Sequence, residues 1–273
     1  MKITSLTENT SFSPEFKHVH GLSFYIETKN HKILFDMGPD STFIDNADKL
    51  GIKLEDVDTA IISHGHNDHG GALSLFMDIN KNAKIYVRED IFDTHLKKDS
   101  NDFVNIGLDK SLSSSDRFVF TTDSLKIDDE LFIFSSVKGR KHFSKSNGVL
   151  YAEKNNKIQL DDFTHEQSLI ITEGDKKVLI GGCAHNGIVN IIEKAHELGI
   201  KNIHTVISGF HLMIPDENKS EDPALVKAVA KDLIKLGSQY YTCHCTGIES
   251  YKVLKEAMGN QVKYISSGMS IEL

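Results

Sequence analysis

Four side chains with the chemistry of metal ligands fall within six consecutive positions. They are His64, His66, Asp68 and His69 in "ISHGHNDHGGAL", from Ile62 to Leu73. Imidazole nitrogen and carboxylate oxygen are the donors that zinc-like ions take at short range, and a catalytic site keeps one position open for water. His64 and His66 are two apart at the end of a buried strand, "VDTAIISH", so in extended geometry both point to one side. Asp68 and His69 follow in the turn, placed to face a second ion about 3.5 Å away. A polar loop rich in histidine is the alternative reading. Four side chains do not close two metal sites, so further donors are needed elsewhere.

Those donors are expected at strand ends, because an α/β sheet places its chemistry there. The chain alternates strands and helices in both its first third and its C-terminal half. Strands are predicted in "KITSLT", "GLSFYIET", "KILFDMG" and "AKIYVRED", with a helix in "STFIDNADKLGI" closed by Gly51 and another in "HGGALSLFMDI". Further on, "QSLIITEGDKKVLIGGCAH" reads as a hairpin turning at Gly174 and Asp175. "GIVNIIEKAHELGI", "DPALVKAVAKDLIKLG" and "GIESYKVLKEAMG" read as helices between the strands "IHTVISG", "QYYTCHC" and "VKYISSG". Two histidines then stand between a strand and a helix, His185 and His244. His196, inside a helix, and His204, inside a strand, lack that placement and are read as packed or solvated residues. The stretch 88–142 breaks the alternation. "KKDSNDFVNIGLDKSLSSSDRF" is polar and irregular, followed by short strands, and is read as an insertion covering the site within a single domain, 1–273.

Composition bounds the function. The 273 residues are 39% hydrophobic and 26% charged, an ordinary globular balance with ample length for a core. A formal charge of -8 gives no basic footprint for nucleic acid or an anionic membrane. No apolar run reaches the roughly 20 residues that span a bilayer, and "MKITSLTENTSFSP" lacks the apolar stretch of a secretory signal. A cytoplasmic protein acting on a small molecule is expected, and an assembly of like chains is compatible with the sequence. The three cysteines, Cys183, Cys243 and Cys245, form no disulfide framework. Cys183 shares the strand face of His185 and is expected close to the metal. Cys243 and Cys245 alternate away from His244 and are expected in the core.

Together, His64-x-His66-x-Asp68-His69, the strand ending in Asp36, then His185 and His244 resemble the metallo-β-lactamase-fold hydrolases. The resemblance runs from "GLSFYIET" to "YISSG" and implies a four-layer αβ/βα sandwich of the α/β class. It implies that His64, His66 and His185 hold one metal, that Asp68, His69 and His244 hold a second, and that Asp36 braces the motif loop. A narrower set, "HGLSFYIET", "HEQSLIIT", "GGCAHNGIVNII", "SGFHL" and "CHCTG", resembles the subgroup of the dihydropteridine–ribofuranosylaminobenzene 5'-phosphate synthases, which make a methanopterin precursor. One departure stands out. Where the superfamily usually supplies a bridging Asp, this chain has Ser208 and Gly209. His211, three residues on, is a candidate ligand or anion contact, with a capping role as the alternative.

The cofactor expected is one or two divalent ions per chain, zinc first, with manganese or iron also suited to His/Asp donors. Asp68 orients the attacking hydroxide besides binding metal, and with His69 forms the catalytic pair. His20, Glu166, Gln167, Asn186, His211 and Thr246 are candidate substrate contacts; Asn186-Gly187 and Thr246-Gly247 open helices whose amides suit an anion. Three functions follow. The first is a metal-dependent hydrolase of a small, anionic ester or phosphodiester-like metabolite. The second is a transferase joining a pterin diphosphate to a ribofuranosylaminobenzene phosphate, for which a chain without Trp offers only Phe and Tyr as stacking partners. The third is a non-catalytic, metal-containing binding module.

Overall fold

The strand Thr59–Ile61 is buried along its whole length, and the motif histidines leave its C-terminal end. It is the fifth strand of a seven-stranded sheet ordered Ser270–Glu272, Lys2–Thr7, Ser23–Glu27, Lys32–Phe35, Thr59–Ile61, Lys84–Arg88, Phe118–Thr121. Pairing is antiparallel from Ser270–Glu272 as far as Lys32–Phe35 and parallel beyond it. Parallel neighbours need a crossover, and helices supply the first two. Thr42–Lys49 links the fourth and fifth strands; Asn67–Gly70 and Leu73–Ile79 link the fifth and sixth. In the first helix Phe43 and Ala47, one turn apart, are fully buried and join Leu34, Ala60, Ile62 and Ile85 in one core with Leu73 and Phe76. Burying a side chain of this size contributes roughly 1.5–3 kcal/mol.

The computed structural model describes residues 1–214 and 219–273. Their contacts divide the chain into two units: one of Met1–Thr122, Tyr151–Asp161 and Ile265–Leu273, the other of Asp123–Leu150 and Asp162–Tyr264. The first contains the sheet just described. The second has its own seven-stranded sheet, ordered Val262–Tyr264, Gln239–Cys243, Thr205–Gly209, Lys176–Ile180, Gln167–Glu173, Leu131–Ser135, Ser124–Lys126. Its first four strands are parallel, with Ile180 beside Ile207 and Gly209 beside Cys243. Three neighbouring strands therefore end side by side, and the segments leaving them, 181–185, 210–211 and 244–246, emerge at one sheet edge. The helices Ile188–Glu197, Pro223–Leu236 and Ile248–Met258 cover this sheet with Ile188, Ile191, Ile192, Val226, Val229, Leu233 and Leu254. Pro223 at the start of the middle helix needs no donor there, and Asp222 caps it by accepting from the Ala224 N–H at 2.8 Å.

The strands and helices expected outside 88–142 are all present. Inside that stretch the polar run was expected to be irregular. Instead His95–Asp99 and Asp102–Asn105 form a hairpin, turning at Ser100 (φ 53°), and join Leu150–Lys154 and Lys157–Leu160 in a four-stranded sheet. Asp102–Asn105 and Lys157–Leu160 are exposed throughout, so no hydrophobic alternation marks them in sequence. Phe118–Thr121 then ends the first sheet, and Ser124–Lys126 with Leu131–Ser135 begins the second.

Candidate functional site

In the first unit the motif is organised by a buried carboxylate. Asp36, just past the strand Lys32–Phe35, has a left-handed backbone (φ 59°) and no solvent exposure. Its Oδ1 accepts from the Ser63 N–H at 2.7 Å. Its Oδ2 accepts from the Ser63 hydroxyl at 2.7 Å and from His69 Nδ1 at 2.7 Å. Because the serine spends its proton on Asp36, its oxygen takes the Nδ1–H of His64, at 2.8 Å. Both rings therefore carry their hydrogen on Nδ1, which leaves the Nε2 lone pair as the ligating position. The backbone is held as well: the Met37 N–H donates to the His69 carbonyl at 2.7 Å.

The donors themselves are close. Donor atoms of His64, His66 and Asp68 all lie within 4.8 Å of one another. His69 Nε2 and Asp68 Oδ2 are 3.8 Å apart, within the roughly 4 Å that two donors with bonds of about 2.1 Å to one ion can span. His20, half-exposed, brings its Nε2 to 3.3 Å from Asp68 Oδ2. Another pair, unforeseen from sequence, adjoins His66. His95 donates from Nδ1 to Asp161 Oδ2 at 3.1 Å, and donor atoms of both lie within 4.8 Å of that of His66. Gly65 makes room for it, since a Cβ there would meet His95 Nε2 at 2.6 Å.

In the second unit His185 leaves the strand Lys176–Ile180 and precedes the helix Ile188–Glu197. A carboxylate organises this loop too, through its backbone. Glu166 accepts from the N–H groups of His185 (2.6 Å) and Asn186 (3.0 Å) and from the Asn186 side-chain amide (2.8 Å). Burial raises the Glu166 carboxyl above its ordinary value against the pull of these donors. The His185 ring donates from Nδ1 to Asn147 Oδ1 at 3.0 Å, again leaving Nε2 as the ligating atom, and Phe163 stacks on it at 4.6 Å. Cys183 has its sulfur within 4.8 Å of donor atoms of His185, His244, His211 and Cys245. Ala184, His211 and His244 all have left-handed backbones (φ 55°, 50° and 49°), as Asp36 does. Such conformations cost of order 1 kcal/mol or more and gather where surrounding structure aims particular side chains.

The remaining expected residues fall as follows. Ser208, at the position of the missing carboxylate, turns its hydroxyl to the carbonyls of Gly182 and Gly209 at 3.0 and 2.7 Å. Cys245 is buried, as expected, and its sulfur also lies near donor atoms of Cys183 and His211, since the segment after Cys243 is a tight helical turn and not extended strand. Cys243 is fully buried. Burial raises the Cys245 thiol, but Cys183, His211 and the charge of His244 more than reverse this and hold it well below the ordinary thiol value. Glu166 and Asn186 are engaged with each other, so the Asn186 amide expected to meet an anion already donates to Glu166. Thr246 accepts from the Phe210 N–H at 2.8 Å and contacts Thr242. Gln167 is buried at the start of its strand. His211 is buried, its ring 4.1 Å from that of His185. His204 is exposed and takes the Lys177 N–H at 3.2 Å; His196 sits part-exposed in its helix. His95 lies in the stretch 88–142 that carries no periodic signal, and Asn147 and Asp161 follow it in segments where no strand or helix is predicted.

The profile of the metallo-beta-lactamase superfamily matches residues 17–189. The chain is 28% identical over 289 aligned positions to 7,8-dihydropterin-6-methyl-4-(beta-D-ribofuranosyl)-aminobenzene-5'-phosphate synthase of Methanocaldococcus jannaschii, covering 100% of this chain and 96% of that one. It is 29% identical over 222 positions to uncharacterized protein MJ0448 of the same organism, covering 79% and 81%. Among solved structures, Tm1679, a metal-dependent hydrolase of the beta-lactamase superfamily, matches with a TM-score of 0.81 at 27% identity, over 100% of this chain and 99% of that chain. The α/β fold type expected from the motif is thus the fold observed, and the narrower resemblance is met along the full chain.

Proposed function

The chain belongs to the metallo-beta-lactamase superfamily, and on that premise we propose that it is a metal-dependent hydrolase of a small, anionic ester or phosphodiester-like metabolite. The observation that carries this reading is the relay from His64 through Ser63 to Asp36 and back to His69. A relay of this kind fixes two imidazoles with Nε2 as the acceptor, which is the form a metal takes and a proton-storing pair does not need. The proposed ligands are His64, His66 and His185 for one ion and Asp68, His69 and His244 for the other, with zinc the first choice and manganese or iron the alternatives. A divalent ion in such a site supplies hydroxide at neutral pH by lowering the pKa of water toward 7.

The chain's own residues supply the rest. Asp68 is the least buried of the motif donors, so it is the carboxylate placed to take the proton of the attacking water. His20, beside it and half-exposed, is the proposed contact for an anionic substrate. A small molecule is the partner proposed, in the cytoplasm. Among the described residues no helix is long and apolar enough to cross a membrane.

A second reading has its own support. The full-length likeness is to a synthase, so the same centre would activate a pterin diphosphate toward an aminobenzene ribotide. The test is one protein preparation of measured metal content, assayed two ways. Metal-dependent turnover of a simple phosphodiester or lactone, lost in His64→Ala, supports the hydrolase. Diphosphate release that requires the aminobenzene partner, with no simple hydrolysis, replaces it by the synthase. Tight metal binding without turnover in either assay leaves the non-catalytic module.

A further inference from the structure

Three donors in the second unit are not among the six ligands proposed above. Cys183, His211 and Cys245 each offer one ligand atom, and the three atoms lie within 4.8 Å of one another. Each is more than nine-tenths buried. Among the described residues, neither ring nitrogen of His211 has a hydrogen-bond partner. A buried imidazole that makes no hydrogen bond and stands beside two sulfurs is the arrangement that a bound cation satisfies. The backbone is shaped around the group. His211 is held left-handed at φ 50°. Gly209 leaves the space that Cys245 fills, since a Cβ there would lie 2.4 Å from its sulfur.

We propose that Cys183, Cys245 and His211 form a thiolate-bearing metal site in the second unit, selective for a soft or borderline divalent ion such as zinc. Two sulfurs and one nitrogen make a donor set of the kind zinc takes with a fourth position left over. Two thiolates also bring the two negative charges that balance a divalent ion, on a sheet edge where Ser208 and Gly209 offer no carboxylate. His211 then binds through the ring that the sequence left between ligand and cap. This inference uses none of the six ligands named for the hydrolase, but Cys183 also lies within 4.8 Å of donor atoms of His185 and His244, so the test must tell the two sites apart.

The experiment loads the full chain, purified without chelator and then stripped, with one equivalent of cadmium, whose softness directs it to sulfur. Cadmium-edge X-ray absorption reads the neighbours directly in the unmutated protein. Two sulfur neighbours per ion are expected; a single sulfur, as Cys183 beside His185 or His244 would give, or a shell of nitrogen and oxygen alone, overturns the proposal. In parallel, cobalt loading is followed by its sulfur-to-metal charge-transfer band in the near ultraviolet. The band should fall by about half in Cys183→Ser or Cys245→Ser, vanish in the double variant, and persist in His64→Ala, which disables the proposed hydrolase centre. A band unchanged in the double variant, or lost only in His64→Ala, also overturns it. The absorption measurement decides the matter if a serine variant fails to fold.

Discussion

Each unit builds its donors around a buried carboxylate that takes three hydrogen bonds, and the two carboxylates grip different things. Asp36 holds side chains: one ring nitrogen directly, another through Ser63. Glu166 holds backbone, fixing the loop at His185 and Asn186, and leaves the His185 ring to the neutral Asn147. The first arrangement governs the basicity and tautomer of the ligands; the second governs where the loop runs. A charged acceptor raises ligand basicity more than an amide oxygen does. The two units therefore differ in what a single substitution should destroy.

The widest separation is expected from Asp36→Ala. Three buried donors lose their acceptor, at about 1 kcal/mol each, so urea unfolding should show a loss of about 3 kcal/mol. The same change frees two rings to change tautomer, so metal affinity should fall roughly 10- to 100-fold, read by titration against a chromophoric chelator. Glu166→Ala also strands three donors and should cost a similar stability, about 3 kcal/mol. Its metal affinity should fall less than about tenfold, because the His185 ring keeps its own partner. If Glu166→Ala costs as much metal affinity as Asp36→Ala, the division between ring support and backbone support is wrong.

The same contrast explains what the sequence revealed. The first unit's donors are legible because all four fall in residues 64–69, at a strand end and in the short helix Asn67–Gly70, although Asp36, which holds the rings, comes from another strand's end. In the second unit, residues 183, 211 and 244 meet only because three parallel strands end together, and no sequence spacing encodes that. His185 and His244 were found by their strand-to-helix positions and by resemblance. The burial of Cys245 was legible, but its nearness to Cys183 and His211 was not, because alternation does not extend beyond the strand, which ends at Cys243. Asn147 and His95 were invisible for another reason. They lie on or next to exposed, polar strands and turns, whose pattern carries no burial signal. Long-range pairing had to be seen.

Asn147→Ala isolates ring support in the second unit. It removes the Nδ1 acceptor of His185 and a donor to the His185 carbonyl. Stability should fall by about 1–2 kcal/mol, and roughly 10-fold should be lost from the ion that His185 holds. Metal titration that shows one class of site weakened and another untouched is the expected result. Equal weakening of both would mean that Asn147 acts on the fold as a whole.

The smallest effect lies at the surface, at the base of the segment that carries Asn147. His142 Nε2 and Lys141 Nζ approach Asp232 Oδ2 at 2.8 and 3.0 Å, and Lys235 meets its Oδ1 at 3.0 Å. These three partners, His142 first, hold the Asp232 carboxyl well below the usual carboxylate range. A carboxyl depressed by folding adds stability that is complete above its unfolded pKa, about 4, and is lost as pH falls through the folded value. Asp232→Asn should therefore narrow the gap in melting temperature between pH 6 and pH 3, and the difference should shrink in high salt because the pairs are solvated. Metal affinity in Asp232→Asn should stay within about twofold if Asn147 is held by the loop around it, where Glu221 accepts from the N–H groups of Lys145 and Ser146 at 2.5 and 3.2 Å. A tenfold loss would instead make the surface network part of the support for His185, and the second unit would then depend on charge as the first does.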